Sequence, residues 1–336
     1  MYLLIFLKFM IKNLINIFFF FIYFIPLFIT ILLSVAFFTL MERKELASMQ
    51  RRRGPNVVGI YGSLQAIADG FKLLNKETTI PLYSNYLIFM LAPLFTFILS
   101  IFCWAFLPIN INIVLVDINI GLLLFFAFSS LGVYGIIVSG WSSNSKYAFL
   151  GALRSSAQFI SYEISMGLII IPIILYAGTA NIISIVEAQN DLYYVKPFFH
   201  LFILFLVSAL AETNRIPFDL PEAESELVSG YNVEYSSIGF TFFFLAEYSN
   251  IILMSCIITC IFFGGWVEIF YFKFFYMDGV FWFCIKFLFL MFVFVWIRGT
   301  LPRYRYDQLM MLGWKVILPV SFGFVFISIY IYMILL

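Results

Sequence analysis

Eight apolar runs divide this chain, at about 14–41, 82–107, 118–140, 148–176, 197–211, 238–263, 279–297 and 309–336. A helix needs about 20 mostly apolar residues to cross a bilayer, because the core offers no water to its backbone groups. Seven runs meet that length. The fifth falls short, and its ends extend towards Tyr194 or Asn214. With 64% hydrophobic and 11% charged residues, the chain is too apolar for a soluble globular protein. The expected fold class is all-α: a polytopic membrane protein of about eight transmembrane helices, a single transmembrane domain over 1–336. Lys8 and Lys12 precede the first run as in a secretion signal. That run is far longer than a signal's apolar core and lacks a small-residue cleavage site, so it reads as a retained span.

Basic residues then fix the orientation. Of 19 Lys and Arg residues, 14 lie in or beside the loops after spans one, three, five and seven. By the positive-inside rule these loops, about 42–81, 141–147, 212–237 and 298–308, face the cytoplasm or an organelle matrix. Both termini fall on one side. A net charge of +1 leaves no basic surface for nucleic acid.

The first inside loop carries Glu42-Arg-Lys-Glu45 and then Arg51-Arg-Arg-Gly-Pro-Asn56. Gly54-Pro55-Asn56 breaks the chain, and an amphipathic interfacial helix follows from Ser63. Leu64, Ile67, Ala68 and Phe71 make its apolar stripe; Gln65, Asp69, Lys72 and Lys76 make its polar one. Basic residues interleaved with Glu42, Glu45 and Asp69 predict a mixed ionic network within this loop.

Acids concentrate elsewhere. Seven of the 18 acidic residues lie between Glu212 and Glu247: these two, Asp219, Glu222, Glu224, Glu226 and Glu234, with only Arg215 to oppose them. Carboxyls wedged between membrane-length runs are costly and mark function. Glu212 closes the fifth span, Glu247 sits well inside the sixth, and Glu163 lies deep in the fourth. Arg154 stands nine residues before Glu163, about 13 Å along a helix and out of phase, so the two do not pair. Three helices each bringing a carboxyl to one membrane half suggest a proton path. Pro217 and Pro221 exclude regular helix through 214–220. Glu222, Glu224 and Glu226 share one side of an extended chain, whereas a helix groups only Glu222 with Glu226; the sequence leaves both open. Crowded carboxyls at low dielectric do not all ionise together.

Two further features are weighed. Lys286, inside the seventh span, is either an interior link or a snorkelling side chain. Cys256 and Cys260 share a helix face, but no ligand cluster accompanies them, and they read as small buried residues rather than a metal pair.

Motifs in every inside loop resemble one family. Glu42-Arg-Lys44, Arg52-Arg-Gly-Pro-Asn-Val-Val-Gly59, Gly151-Ala-Leu-Arg154, Ser161-Tyr-Glu163, Ala211 through Tyr235, Trp296-Ile-Arg298 and Leu301-Pro-Arg-Tyr-Arg-Tyr-Asp-Gln-Leu309 are similar to NADH dehydrogenase subunit 1, the membrane subunit at the heel of respiratory complex I. The resemblance runs in order along nearly the whole chain. It implies a wall of the quinone chamber in a proton-pumping NADH:ubiquinone oxidoreductase. Ubiquinone would be the substrate, no cofactor is expected in this chain alone, and NADH, FMN and iron–sulfur clusters would bind in partner subunits. Those partners would be iron–sulfur and quinone-site peripheral subunits and antiporter-like membrane subunits, with lipid around them.

By similarity, Arg43, Arg52, Asp69, Arg298 and Arg303 would line or support the chamber. Glu163, Glu212, Glu222, Glu224, Glu226 and Glu247 would form the acidic path, with Glu42, Arg215 and Asp219 in support. The residue bias towards Phe, Ile and Tyr suits an organelle genome, and hence the mitochondrial inner membrane over a bacterial plasma membrane. Two alternatives stay open: the equivalent subunit of a membrane-bound hydrogenase, and an independent ion or proton transporter.

Overall fold

A computed structural model describes residues 2–111, 113–220, 230–268 and 278–335, with side chains from 24 to 334. The helices are α1 (Tyr2–Met49), α2 (Gln65–Asn75), α3 (Tyr86–Trp104), α4 (Gly121–Ser142), α5 (Lys146–Ala177), α6 (Ile182–Glu187), α7 (Phe199–Glu212), α8 (Ser237–Phe262), α9 (Gly279–Thr300), α10 (Tyr306–Met311) and α11 (Leu318–Leu335), the last two joined by a π-helical turn, Leu312–Ile317. No strand occurs among the described residues. Among the described residues seven helical stretches are long and apolar enough to cross a membrane, and α7 is a shorter apolar helix of 14 residues. At about 1.5 Å per residue, α7 reaches only some 21 Å. Irregular backbone follows over 214–220, most of it buried in protein. Helix α7 is the short fifth run of the sequence.

The core is built around α8, whose residues from Ser249 to Phe262 are almost all buried, whereas α1 and the α10–α11 stretch show most of their surface. Such all-round burial requires apolar residues on every face, as this segment has. Close approach comes from small residues. A Cβ on Gly151 would lie 2.9 Å from the Gly230 backbone, so that glycine lets the chain after the acidic stretch rest directly on α5. Ser145 caps α5, accepting the Ala148 N–H at 3.3 Å. The basic loops do gather at one end. Asn85 N–H bonds Ser142 O at 3.1 Å, Thr79 bonds Ser236, and Tyr304 N–H bonds Pro217 O at 3.0 Å. The amphipathic α2 forms as expected; Ile67, Phe71 and Leu74 remain exposed within this chain.

Candidate functional site: a buried ion cluster beside a carboxylate-lined cavity

Glu42, near the C-terminal end of α1, is 4% exposed and collects partners from three other segments. Arg215, just after α7, donates to Oε1 at 3.2 Å; Arg298, at the end of α9, donates to the same oxygen; the Tyr248 hydroxyl of α8 donates to Oε2 at 2.6 Å. The Arg215 guanidinium also lies over the Tyr248 ring, 4.3 Å from its centroid. Burial alone would lower the pKa of Arg215, but the Glu42 carboxylate reverses this and holds the guanidinium above its ordinary value. The mixed network expected within the first loop forms in part, through Arg43 and Asp69. Glu42, however, takes its arginines from elsewhere, from the segment after α7 and the last turn of α9, because α1 packs against α8 and α9 and points that carboxyl inwards.

The other first-loop residues stand apart. Arg43 pairs with Asp69 of α2 at 2.7 Å, and Gln65 donates to the same carboxylate at 3.0 Å. Lys44 donates to Tyr61 O at 2.6 Å, which ties the loop to α1. Arg52 is exposed and bonds its neighbour Gln50 at 2.7 Å; it makes no ion pair among the described residues. Arg303 donates to Asp219 at 2.6 Å, and Tyr304 stacks on Phe218. These contacts fasten the irregular segment after α7 to the loop after α9.

Across α8 from the ion cluster is an internal cavity of about 60 Å³. Glu212 and Glu247 line it, with Thr96, Ser100, Ser129 and Asn250. One Glu212 carboxylate oxygen is fully buried, and Glu247 accepts a hydrogen bond from Tyr231. A water needs roughly 10–15 Å³ of such space and two to four polar partners, so the cavity has room for a few. Glu163 is not part of its wall. It faces Ser130 on α4, beside the Ser129 that faces Glu212, and the two carboxyls are close enough for their charges to interact. Arg154 lies over the Tyr306 ring, 5.8 Å from its centroid. Glu222, Glu224 and Glu226 lie outside the described residues.

Three site residues escaped the sequence reading. Tyr248 and Tyr231 are buried, and a buried phenol needs a partner for its hydroxyl, but that rule alone does not identify the partner. Gln158, on α5, is fully buried. Its amide donates to Ala211 O at 2.7 Å and Phe218 O at 2.9 Å, and contacts Asn214 Oδ1 at 3.2 Å. It thereby holds both ends of the break after α7. Lys286 does not snorkel; it is the interior link of the two readings, buried and bonded to backbone beyond the end of α8, apart from the ion cluster.

The architecture defines a multi-pass membrane protein whose ionic groups gather at one face around a carboxylate-lined interior. The family model described as NADH dehydrogenase matches residues 7–329. The chain belongs to the NADH dehydrogenase family and is a membrane subunit of that oxidoreductase. It is similar to NADH-ubiquinone oxidoreductase chain 1 of Chondrus crispus, 56% identical over 304 residues, which cover 90% of this chain and 93% of that one. It is 56% identical over 292 residues to the protein of the same name from Arabidopsis thaliana, covering 87% and 90%. A bacterial relative, an NADH-quinone oxidoreductase subunit of Rhodospirillum rubrum, is 58% identical over 292 residues, covering 86% of each chain.

Proposed function

We propose that this chain walls part of the quinone chamber of a proton-translocating NADH:ubiquinone oxidoreductase and carries the acidic path that couples quinone reduction to proton movement. Arg43, Arg52, Asp69, Arg298 and Arg303 serve the chamber. Glu163, Glu212 and Glu247 form the path, with Glu222, Glu224 and Glu226 leading into it. Glu42, Arg215 and Asp219 hold the two together. The carrying observation is on α8: consecutive Glu247 and Tyr248 meet the cavity and the Glu42 cluster respectively. A charge change among the arginines is thus one residue from the carboxyl-lined space, and coupled groups at low dielectric feel such a change strongly.

NADH, FMN and iron–sulfur clusters belong to partner subunits in this reading, and the membrane is the mitochondrial inner membrane. The similarity to both NADH-ubiquinone and NADH-quinone oxidoreductase chains supports the complex over a hydrogenase or a lone transporter. The test is Glu212→Gln in the assembled complex. Turnover and pumping should fall at least fivefold while assembly is kept. Normal pumping would overturn the path, and activity of the isolated chain in liposomes would favour a transporter.

A further inference from the structure

Lys286, on α9, is a buried cation that neither the ion cluster nor the cavity uses; it is 6% exposed. Its Nζ donates to three backbone carbonyls: Phe263 at 2.8 Å, Gly265 at 2.9 Å and Val267 at 2.5 Å. An ammonium has three N–H donors and no acceptor, so its donors are all matched. The ring of Tyr193 covers it, with its centroid 5.0 Å from Nζ. The ion pairs of the described residues all lie elsewhere, so backbone dipoles and a π face offset this charge.

The carbonyls come from the cap residue of α8 and the turn after it, next to a helix end that carries partial negative charge. The last C=O groups of the helix itself are taken by others. Gln189 donates to Cys260 O at 2.9 Å, Val195 N–H to Phe262 O at 3.0 Å, and the cap's own Phe263 N–H to Thr259 O at 3.1 Å. The chain then turns at Gly264, where φ is +66° and a Cβ would lie 2.7 Å from the Tyr193 ring. That turn points three carbonyls, from Phe263, Gly265 and Val267, at one spot, and Lys286 fills it.

The result is a pair of helices clasped at two levels. At one, Glu42 receives Tyr248 from the middle of α8 and Arg298 from the last turn of α9. At the other, Lys286 of α9 grips the turn that follows α8. The clasps are separated by 15 residues from Tyr248 to Phe263 and 12 from Lys286 to Arg298, about 22 Å and 18 Å of helix.

We propose that Lys286 is a positioning residue: a tethered ammonium in a carbonyl cradle that sets the height of α8, and so where Glu247 and Tyr248 stand further along that helix. The proposal rests on the acidic-path reading of Glu247.

The test uses the intact complex with Lys286→Ala and Lys286→Met. Quinone-reductase turnover should fall at least fivefold in both, with the quinone KM within twofold of normal. Propylammonium, the fragment that Lys286→Ala removes, should restore that variant to at least half the normal rate. It should not restore Lys286→Met, whose side chain occupies the space. Tetramethylammonium has no N–H to donate and should restore neither. Normal turnover in Lys286→Met would overturn the proposal, as would failure of propylammonium or equal rescue by tetramethylammonium. Should Lys286→Ala not assemble, Lys286→Arg keeps the charge but lacks the three-pronged donor; it should turn over more slowly at unchanged KM, and a normal rate overturns the idea. Glu247→Gln, run in parallel, separates the two readings. Normal turnover there overturns the acidic path, whereas an impaired Glu247→Gln without amine rescue of Lys286→Ala overturns the clamp alone.

Discussion

The Tyr248 hydroxyl of α8 donates to the Glu42 carboxylate of α1 at 2.6 Å, across 206 residues of sequence. The same carboxylate binds Arg215 and Arg298, so one buried anion joins three helices, α1, α8 and α9, to the segment after α7. Breaking a buried ion pair from one side costs more than the pair's net worth, since the remaining charge stays buried.

Glu42→Gln should therefore lower stability by about 3–5 kcal/mol, and Tyr248→Phe by about 1.5–3 kcal/mol for a hydrogen bond to a charged group. Because both act on one network, the double variant should lose less than the sum. Thermal midpoints of the four complexes check this; strict additivity would separate the two residues.

Gln158→Leu removes the donor shared by Ala211 O and Phe218 O. Each orphaned buried carbonyl costs about 1–3 kcal/mol. A lower midpoint should be accompanied by faster hydrogen exchange in 213–220, and unchanged exchange there would contradict the role assigned to this amide.

Arg303 and Asp219 fasten the segment after α7 to the loop after α9, with the aspartate the more buried partner. Arg303→Ala should harm turnover more than Asp219→Asn does, because it takes the guanidinium from a buried carboxylate, whereas the amide of Asp219→Asn still offers an oxygen to Arg303. Paired kinetics on the two variants decide it.

Arg43 and Asp69 are half exposed, so Arg43→Ala should change stability by less than about 1 kcal/mol. If the basic loop shapes the chamber, Arg43→Ala and Arg52→Ala should still weaken a quinone-site inhibitor several-fold. Inhibitor titration of the purified complexes provides the check, and unaltered affinity would remove both from the chamber.

Hydropathy, Lys and Arg bias and the inside-loop motifs were enough to establish the all-helical membrane fold, the gathering of basic loops at one end and the family, because lipid imposes length and polarity on every span. The short fifth run, the break at Pro217 and the amphipathic α2 were legible for the same local reasons. Partners were not. That Glu42 meets Arg215, Tyr248 and Arg298 rather than its own loop depends on how α1, α8 and α9 pack, and helix faces alone do not fix that choice. The opposite turnings of Glu247 and Tyr248, and of Lys286 towards carbonyls that exist only where α8 ends, arise from tertiary contact. A sequence specifies which polar groups must be satisfied in a membrane; only the packed structure decides by what.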